Sequence, residues 1–204
     1  MRAPVVGTVP RTCGELVATV VGMTNAAFGA WESPLTARTL ALAGVRLGEP
    51  RYDGDTLYWT EARPAERGRV ALLREHAGEI SEMAPGLSVR TRVHEYGGGA
   101  WDARDGVLVI SSDPEGQLFR LGDGGPVALT PAGSGWRFAD LRVLPSAALV
   151  LAVREDHSGA GEAVNTLVAL SLDGRNADGG TVLAQGADFY ACPEFSDAGQ
   201  LAWM

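Results

Sequence analysis

Residues 89–101 read VRTRVHEYGGGAW and set two arginines, a histidine, a glutamate and a tyrosine against three consecutive glycines. Carboxylates and guanidiniums form charge-assisted hydrogen bonds with peptide termini. Arg92, His94, Glu95 and Tyr96 are therefore candidates for gating a cavity or binding a peptide terminus. The same stretch has a scaffold reading. Gly97, Gly98 and Gly99 form a glycine loop that lets the backbone bend or approach a neighbour closely, Tyr96 and Trp101 pack, and Arg90, Arg92 and Glu95 form paired charges between structural units. Interfacial polar groups satisfy the chain more often than a ligand, which favours the scaffold role. A glycine hinge that orders a polar loop serves both.

The other suggestive groups reduce to turns or isolated side chains. Asp156, His157 and Ser158 are the three residue types of a hydrolase triad in a row, but a triad converges from separated segments. They are expected in a hairpin loop. No G-x-S-x-G elbow is present; the nearest approach, GLSVR at 86–90, has Arg90 where the sharp strand-to-helix turn needs its second glycine. His76, His94 and His157 share no metal-ligand spacing, so no catalytic residue, metal or cofactor is assigned. GDGGP at 122–126 lacks the strand-to-helix context of a phosphate loop and reads as a turn. Cys13 and Cys192 match no metal or redox pattern and are expected as reduced thiols in a cytoplasmic protein.

Composition excludes several classes. The 204 residues are 46% hydrophobic and 21% charged, enough for a domain with a real core. A net charge of -8 and a pI near 4.9 argue against general affinity for nucleic acid or anionic lipid. All 17 basic residues are arginine, and they are scattered. No run is long enough to span a bilayer. ELVATVVGM, within residues 1–27, is a poor signal peptide, and Met23 is expected as the natural start after an upstream extension.

The elements that must position these residues are nearly all strands. One stretch reads as helix, 33–43, with Ser33 as N-cap, Pro34 at the first helical position and Gly44 past the end. Apolar runs follow at 56–61, 70–75, 107–112, 117–121, 148–155, 166–172 and 181–186, divided by Asp, Gly, Pro and Ser turns. Too little helix separates them for parallel crossovers, so they pair antiparallel. YDGDTLYW, ARDGVLVI, LPSAALVL and FSDAGQLAW each place a tight turn before an apolar strand, at intervals of roughly 40 to 50 residues, the length of a four-stranded propeller blade. The expected fold is all-β: an incomplete β-propeller of about three four-stranded antiparallel blades plus the start of a fourth, preceded by a short N-terminal helix. It would occupy 28–204, with blades from about residue 45. Propeller rings close with about four to eight blades, so a chain that stops within a strand at QLAWM is expected to be truncated, with two exposed apolar faces.

Four segments carry a family resemblance: the stretch from WESPLTARTLALAG to VALLRE, VRTRVHEYGGGAW, AVREDHSGAGEAVNTLVALSLDG and DFYACPEFSDAGQLAWM. Over 28–204 the chain resembles the N-terminal propeller region of serine peptidases of the prolyl oligopeptidase family, in the acylaminoacyl-peptidase and dipeptidyl-aminopeptidase-like branch. RVHEYGGGA is its most specific piece. The resemblance implies a propeller followed by a C-terminal α/β-hydrolase domain carrying Ser, Asp and His, with short peptides as substrates. The propeller would gate and orient them, excluding folded proteins, and this chain alone would be inactive.

Two other classes compete. A stand-alone propeller binding module would be completed by oligomerisation. A metal-dependent propeller hydrolase of lactonase type would need inward ligands on several blades, for which Glu95, Asp156 and Asn165 are the available side chains.

Overall fold

The structure, a computed structural model, describes residues 27, 29–30, 33–42, 44–174, 176–196 and 198–204. The expectations for Cys13, Met23 and the ELVATVVGM stretch lie outside the described residues. The chain divides into two units, 1–36 and 37–204. In the first, the Leu35 N–H donates to the Ser33 hydroxyl at 3.1 Å, a local turn of the kind that competes with helix capping. The second opens with helix α1, Ala37–Leu42, shorter than the expected 33–43. Leu40 is exposed, and a short helix gains little from extension unless it buries an apolar stripe.

Four antiparallel sheets follow. The first runs β1 (Arg46–Asp53), β2 (Thr56–Arg63), β3 (Arg69–His76) and β4 (Glu79–Glu82) in chain order. The second contains β5 (Ser88–Val89), β6 (Trp101–Arg104), β7 (Val107–Asp113), β8 (Gln117–Gly122) and β9 (Gly125–Ala128). The third repeats the first with β10 (Trp136–Leu144), β11 (Leu149–Asp156), β12 (Val164–Ser171) and β13 (Thr181–Gln185). The fourth is a hairpin of β14 (Glu194–Phe195) and β15 (Leu201–Ala202). This is the incomplete propeller expected from the turn-led repeats: three blades and the first hairpin of another.

Turn chemistry sets the register. Arg104 pairs with Val107 across Asp105 and Gly106, both in the left-handed region at φ 50° and 77°. Such a two-residue turn matches the twist of its flanking strands. Strand β7 shows how blades stack. Leu108 and Ile110 join Tyr58 and Leu72 of the first blade in one core cluster, whereas Val109 joins Phe138, Val150 and Val168 of the third in another. Side chains alternate faces along a strand, and with a blade on each side both faces are apolar and buried.

Carboxylates fasten each blade's first strand to the next. Asp53 accepts the N–H groups of Asp105 and Gly106, both at 2.8 Å. Asp102, buried, accepts Arg51 Nη1 at 2.9 Å on one side and the Val143 N–H at 2.8 Å on the other. Asp140 accepts the Cys192 N–H at 2.8 Å. The first strands therefore lie side by side, forming the inner edges of the blades. Arg51 also stands over the Trp101 ring, 5.1 Å from its centroid. Leu47, Tyr52 and Ile80 of the first blade are exposed, as are Phe189, Phe195 and Trp203 at the other end.

Candidate functional site

The glycine loop arises from an interrupted strand. β5 and β6 both pair with the same edge of β7: Ser88 with Asp113 and Val89 with Ser112, then Trp101 with Ile110 onward to Arg104 with Val107. Ser111 closes the gap, since its carbonyl accepts the Arg90 N–H at 3.2 Å and its own N–H donates to Ala100 O at 2.7 Å. The second blade thus has one innermost strand, and residues 91–99 leave it and return to it as a compact loop whose ends meet.

The loop is built outward from a buried base. Thr91 and Val93 are buried, Val93 against Ala139, Val153, Leu167 and Tyr190. His94 and Glu95 then take left-handed φ values of 54° and 64°, uncommon for residues with a side chain and sustained only by surrounding contacts. Gly97 returns its N–H to Val93 O at 3.0 Å. A Cβ there would lie 2.4 Å from the Thr91 carbonyl oxygen, and one on Gly99 would lie 2.6 Å from Asp140 Cα. Both positions are also at positive φ, so glycine is required twice over.

The third blade supplies the surface on which the loop rests. Pairing of β10 with β11 skips a register step between Ala139 and Arg142, and the bulge frees two N–H groups. Asp140 donates to Gly98 O at 3.5 Å and Leu141 to Gly99 O at 3.1 Å. At the other end of the loop, Glu155 Oε1 accepts the His94 N–H at 3.0 Å. Its second oxygen accepts His157 Nε2 at 2.7 Å and Arg137 Nη1 at 3.4 Å. Burial works to raise the Glu155 carboxyl, but hydrogen bonds from His157 and the His94 amide, with the His157 and Arg137 charges, hold it below the usual range. His94 Nε2 lies 3.1 Å from the acceptor Asn165 Oδ1, and its ring meets Phe189 edge-on at 4.9 Å.

The expected site residues divide by partner. Arg92 pairs with Asp113 at 2.8 Å within its own blade, and Glu95 pairs with Arg137 of the third blade at 3.2 Å. His94 is held by Asn165 and Phe189. Tyr96 is 93% exposed and packs against nothing, contrary to the scaffold reading: it sits at the tip, where the left-handed turn directs it away from the buried base. Arg90 has no side-chain partner among the described residues, also contrary to expectation; Asp113, which lines the same hollow, is held by Arg92 instead. Trp101 is fully buried. The loop therefore offers solvent the Tyr96 phenol and the carboxylate of Glu95, 79% exposed. Glu155, Arg137 and Asp140, which fix its shape, were not apparent as site residues. Glu155 lies near the end of β11, after the apolar run, in AVRE, where a buried acid and an exposed one read alike.

The remaining groups fall as their local sequence suggests. Asp156, the last residue of β11, accepts the Ser158 N–H at 2.9 Å, and His157, in the β11–β12 hairpin loop with Ser158, turns to Glu155 instead. Ser88 of GLSVR lies in β5, where its hydroxyl accepts the Val70 N–H at 3.2 Å. GDGGP makes the β8–β9 turn, with Gly122 opposite Gly125. His76 pairs with Thr56 at 2.9 Å. Glu95, Asp156 and Asn165 have separate partners, and no three His, Cys, Asp or Glu side chains among the described residues gather as a metal-ligand set. Cys192 is exposed and unpaired. No described helix is long and apolar enough to cross a membrane.

Solved structures similar to this chain include peptidases that hydrolyse puromycin. A Mycobacterium tuberculosis puromycin-hydrolyzing peptidase is 37% identical, with a TM-score of 0.77, covering 86% of this chain and 30% of its own. A puromycin hydrolase is 32% identical, with a TM-score of 0.78, covering 89% and 31%. A mutant puromycin hydrolase complexed with PGG is 32% identical, with a TM-score of 0.78, covering 87% and 30%. The chain thus spans less than a third of the length of each. No family model matches it, and no curated relative does.

Proposed function

We propose that this chain, homologous to the propeller part of prolyl oligopeptidase-family peptidases, gates and orients small peptide-like substrates for an α/β-hydrolase domain bearing a Ser-His-Asp triad. The carrying observation is the 37% identity over 86% of the chain to a puromycin-hydrolyzing peptidase. The loop fits the role: it projects from an innermost strand, its base is buried, and it exposes a phenol and a carboxylate that can touch a passing substrate without performing chemistry on it. Substrates of this class are short peptides or small amides such as puromycin, and folded proteins are excluded by the ring. The free, exposed Cys192 suits a reducing compartment, the cytoplasm.

Attack on the scissile carbonyl, proton transfer through His and formation of the acyl-enzyme belong to the hydrolase domain. The propeller contributes access and orientation, which matter because a bound geometry off by about 1 Å costs on the order of a hundredfold in rate. The test is a chimera in which this chain replaces the matching part of the Mycobacterium tuberculosis peptidase. Hydrolysis of puromycin by the chimera, none by this chain alone and none of folded casein-size proteins is the expected result. A folded chimera that binds no substrate, together with a stable oligomer of this chain, would instead favour the binding-module reading.

A further inference from the structure

We infer that the cavity between β1 and the 91–99 loop binds the free carboxylate of a short peptide, with Arg46 and Arg90 as its ligands. This rests on the substrate-gating reading above and names the feature of the substrate that is recognised. The cavity measures about 530 Å³, and its walls include Arg46, Arg90, Tyr96, Val70, Val89 and Glu49.

The arginines around it are occupied. Arg51 holds Asp102, Arg92 holds Asp113, and Arg137 holds Glu95 and Glu155. Arg63 and Arg69 share Glu66 and Glu82, and Arg63 also takes Glu61. Arg46 and Arg90 are exposed and have no side-chain partner among the described residues. In a chain with 25 acidic residues against 17 arginines, carboxylates are plentiful, yet two guanidiniums on different blades stand open around one hollow. Guanidinium forks match planar carboxylates with two parallel hydrogen bonds.

Two further features select the ligand. The wall also carries the apolar Leu47, Ala62 and Val70, which can receive the last side chain of a peptide and offer nothing to bare phosphate. Glu49 is the single acid on the wall. It is exposed, so solvent screens its repulsion of an incoming anion. Tyr96, at the rim, can close over the bound residue.

The experiment is calorimetric titration of this chain with the tripeptide Ala-Ala-Phe, its C-terminal amide and inorganic phosphate. The acid should bind, and the amide at least about tenfold more weakly, as loss of a charged hydrogen-bonding pair implies. Arg46→Ala and Arg90→Ala should each weaken the acid about tenfold, leave the amide unchanged and keep the melting temperature, since both side chains are exposed; Arg90→Lys should recover part of the loss. Equal binding of acid and amide, indifference to both substitutions, or phosphate competing as well as the acid overturns the assignment. So does no binding of any peptide; puromycin hydrolysis by the chimera would still stand in that case, so the two readings fail separately.

Discussion

Asp102 links three blades, and its removal has a calculable effect. Asp102→Ala leaves the Val143 N–H without an acceptor inside the core, where Val143 is fully buried; an unsatisfied buried donor costs about 1–3 kcal/mol. It also releases Arg51, whose side chain is 37% exposed, so solvent screening holds that ion pair to about 0–1 kcal/mol. The sum is roughly 1–4 kcal/mol. For a chain of this size that corresponds to a fall in melting temperature on the order of 10 °C. Asp102→Asn keeps an oxygen for Val143 and loses only the charge, so about 1 kcal/mol is expected. Urea unfolding of the three proteins followed by tryptophan fluorescence measures both, because Trp101 lies in the same interface. If Asp102→Ala falls within about 0.5 kcal/mol of the parent, or Asn proves as damaging as Ala, the role assigned to the buried acceptor is wrong.

Three other outcomes follow from the loop. Gly99→Ala, whose new Cβ would lie 2.6 Å from Asp140 Cα, should expose residues 91–99 to limited proteolysis, whereas Gly98→Ala, with nothing within 4 Å but φ at +135°, should cost only about 1–3 kcal/mol of backbone strain; equal sensitivity would contradict the packing described. Glu155 has a folded value below its ordinary 4.5, so its stabilisation is complete above that pH and is lost as pH falls through the folded value; Glu155→Gln should flatten this part of the acid limb in urea titrations between pH 3 and 7, and an unchanged limb would show that the carboxylate contributes nothing. Tyr96→Ala should change stability by less than about 0.5 kcal/mol while raising KM for puromycin in the chimera; a large stability loss would mean that the side chain packs after all.

The propeller was legible because its repeat is written in turns. Asp-Gly and Pro-Ser pairs before apolar runs announce hairpins, and the hairpins at 54–55, 105–106 and 145–148 stand where those pairs occur. Strands that bury one face weakly or carry a bulge were less visible. β4, EISE, is a short edge strand with no buried residue, and β10 loses its alternation at Asp140, where the bulge turns the chain. The polar cluster at 89–101 was legible as a group, but its partners were not. Arg92 and Glu95 find acids and bases 21 and 42 residues away, and no local pattern distinguishes those from the others. The two open arginines are harder still, since an unpaired side chain is defined by what does not come near it.

Ser111 has a consequence for how such a protein can change over generations. One residue grips both ends of the excursion, so the register of β7 with its neighbours does not depend on what lies between Arg90 and Ala100. The loop is a cassette held in a fixed frame. Its foundation, Thr91, Val93, Gly97 and Gly99, is fixed by burial or by clearance. Tyr96 at the tip is bound by neither and can be exchanged without disturbing a blade, whereas Glu95 beside it is tied to Arg137 and to a left-handed turn. Selectivity can then diverge between related chains by substitution at one codon while the surrounding architecture is inherited intact.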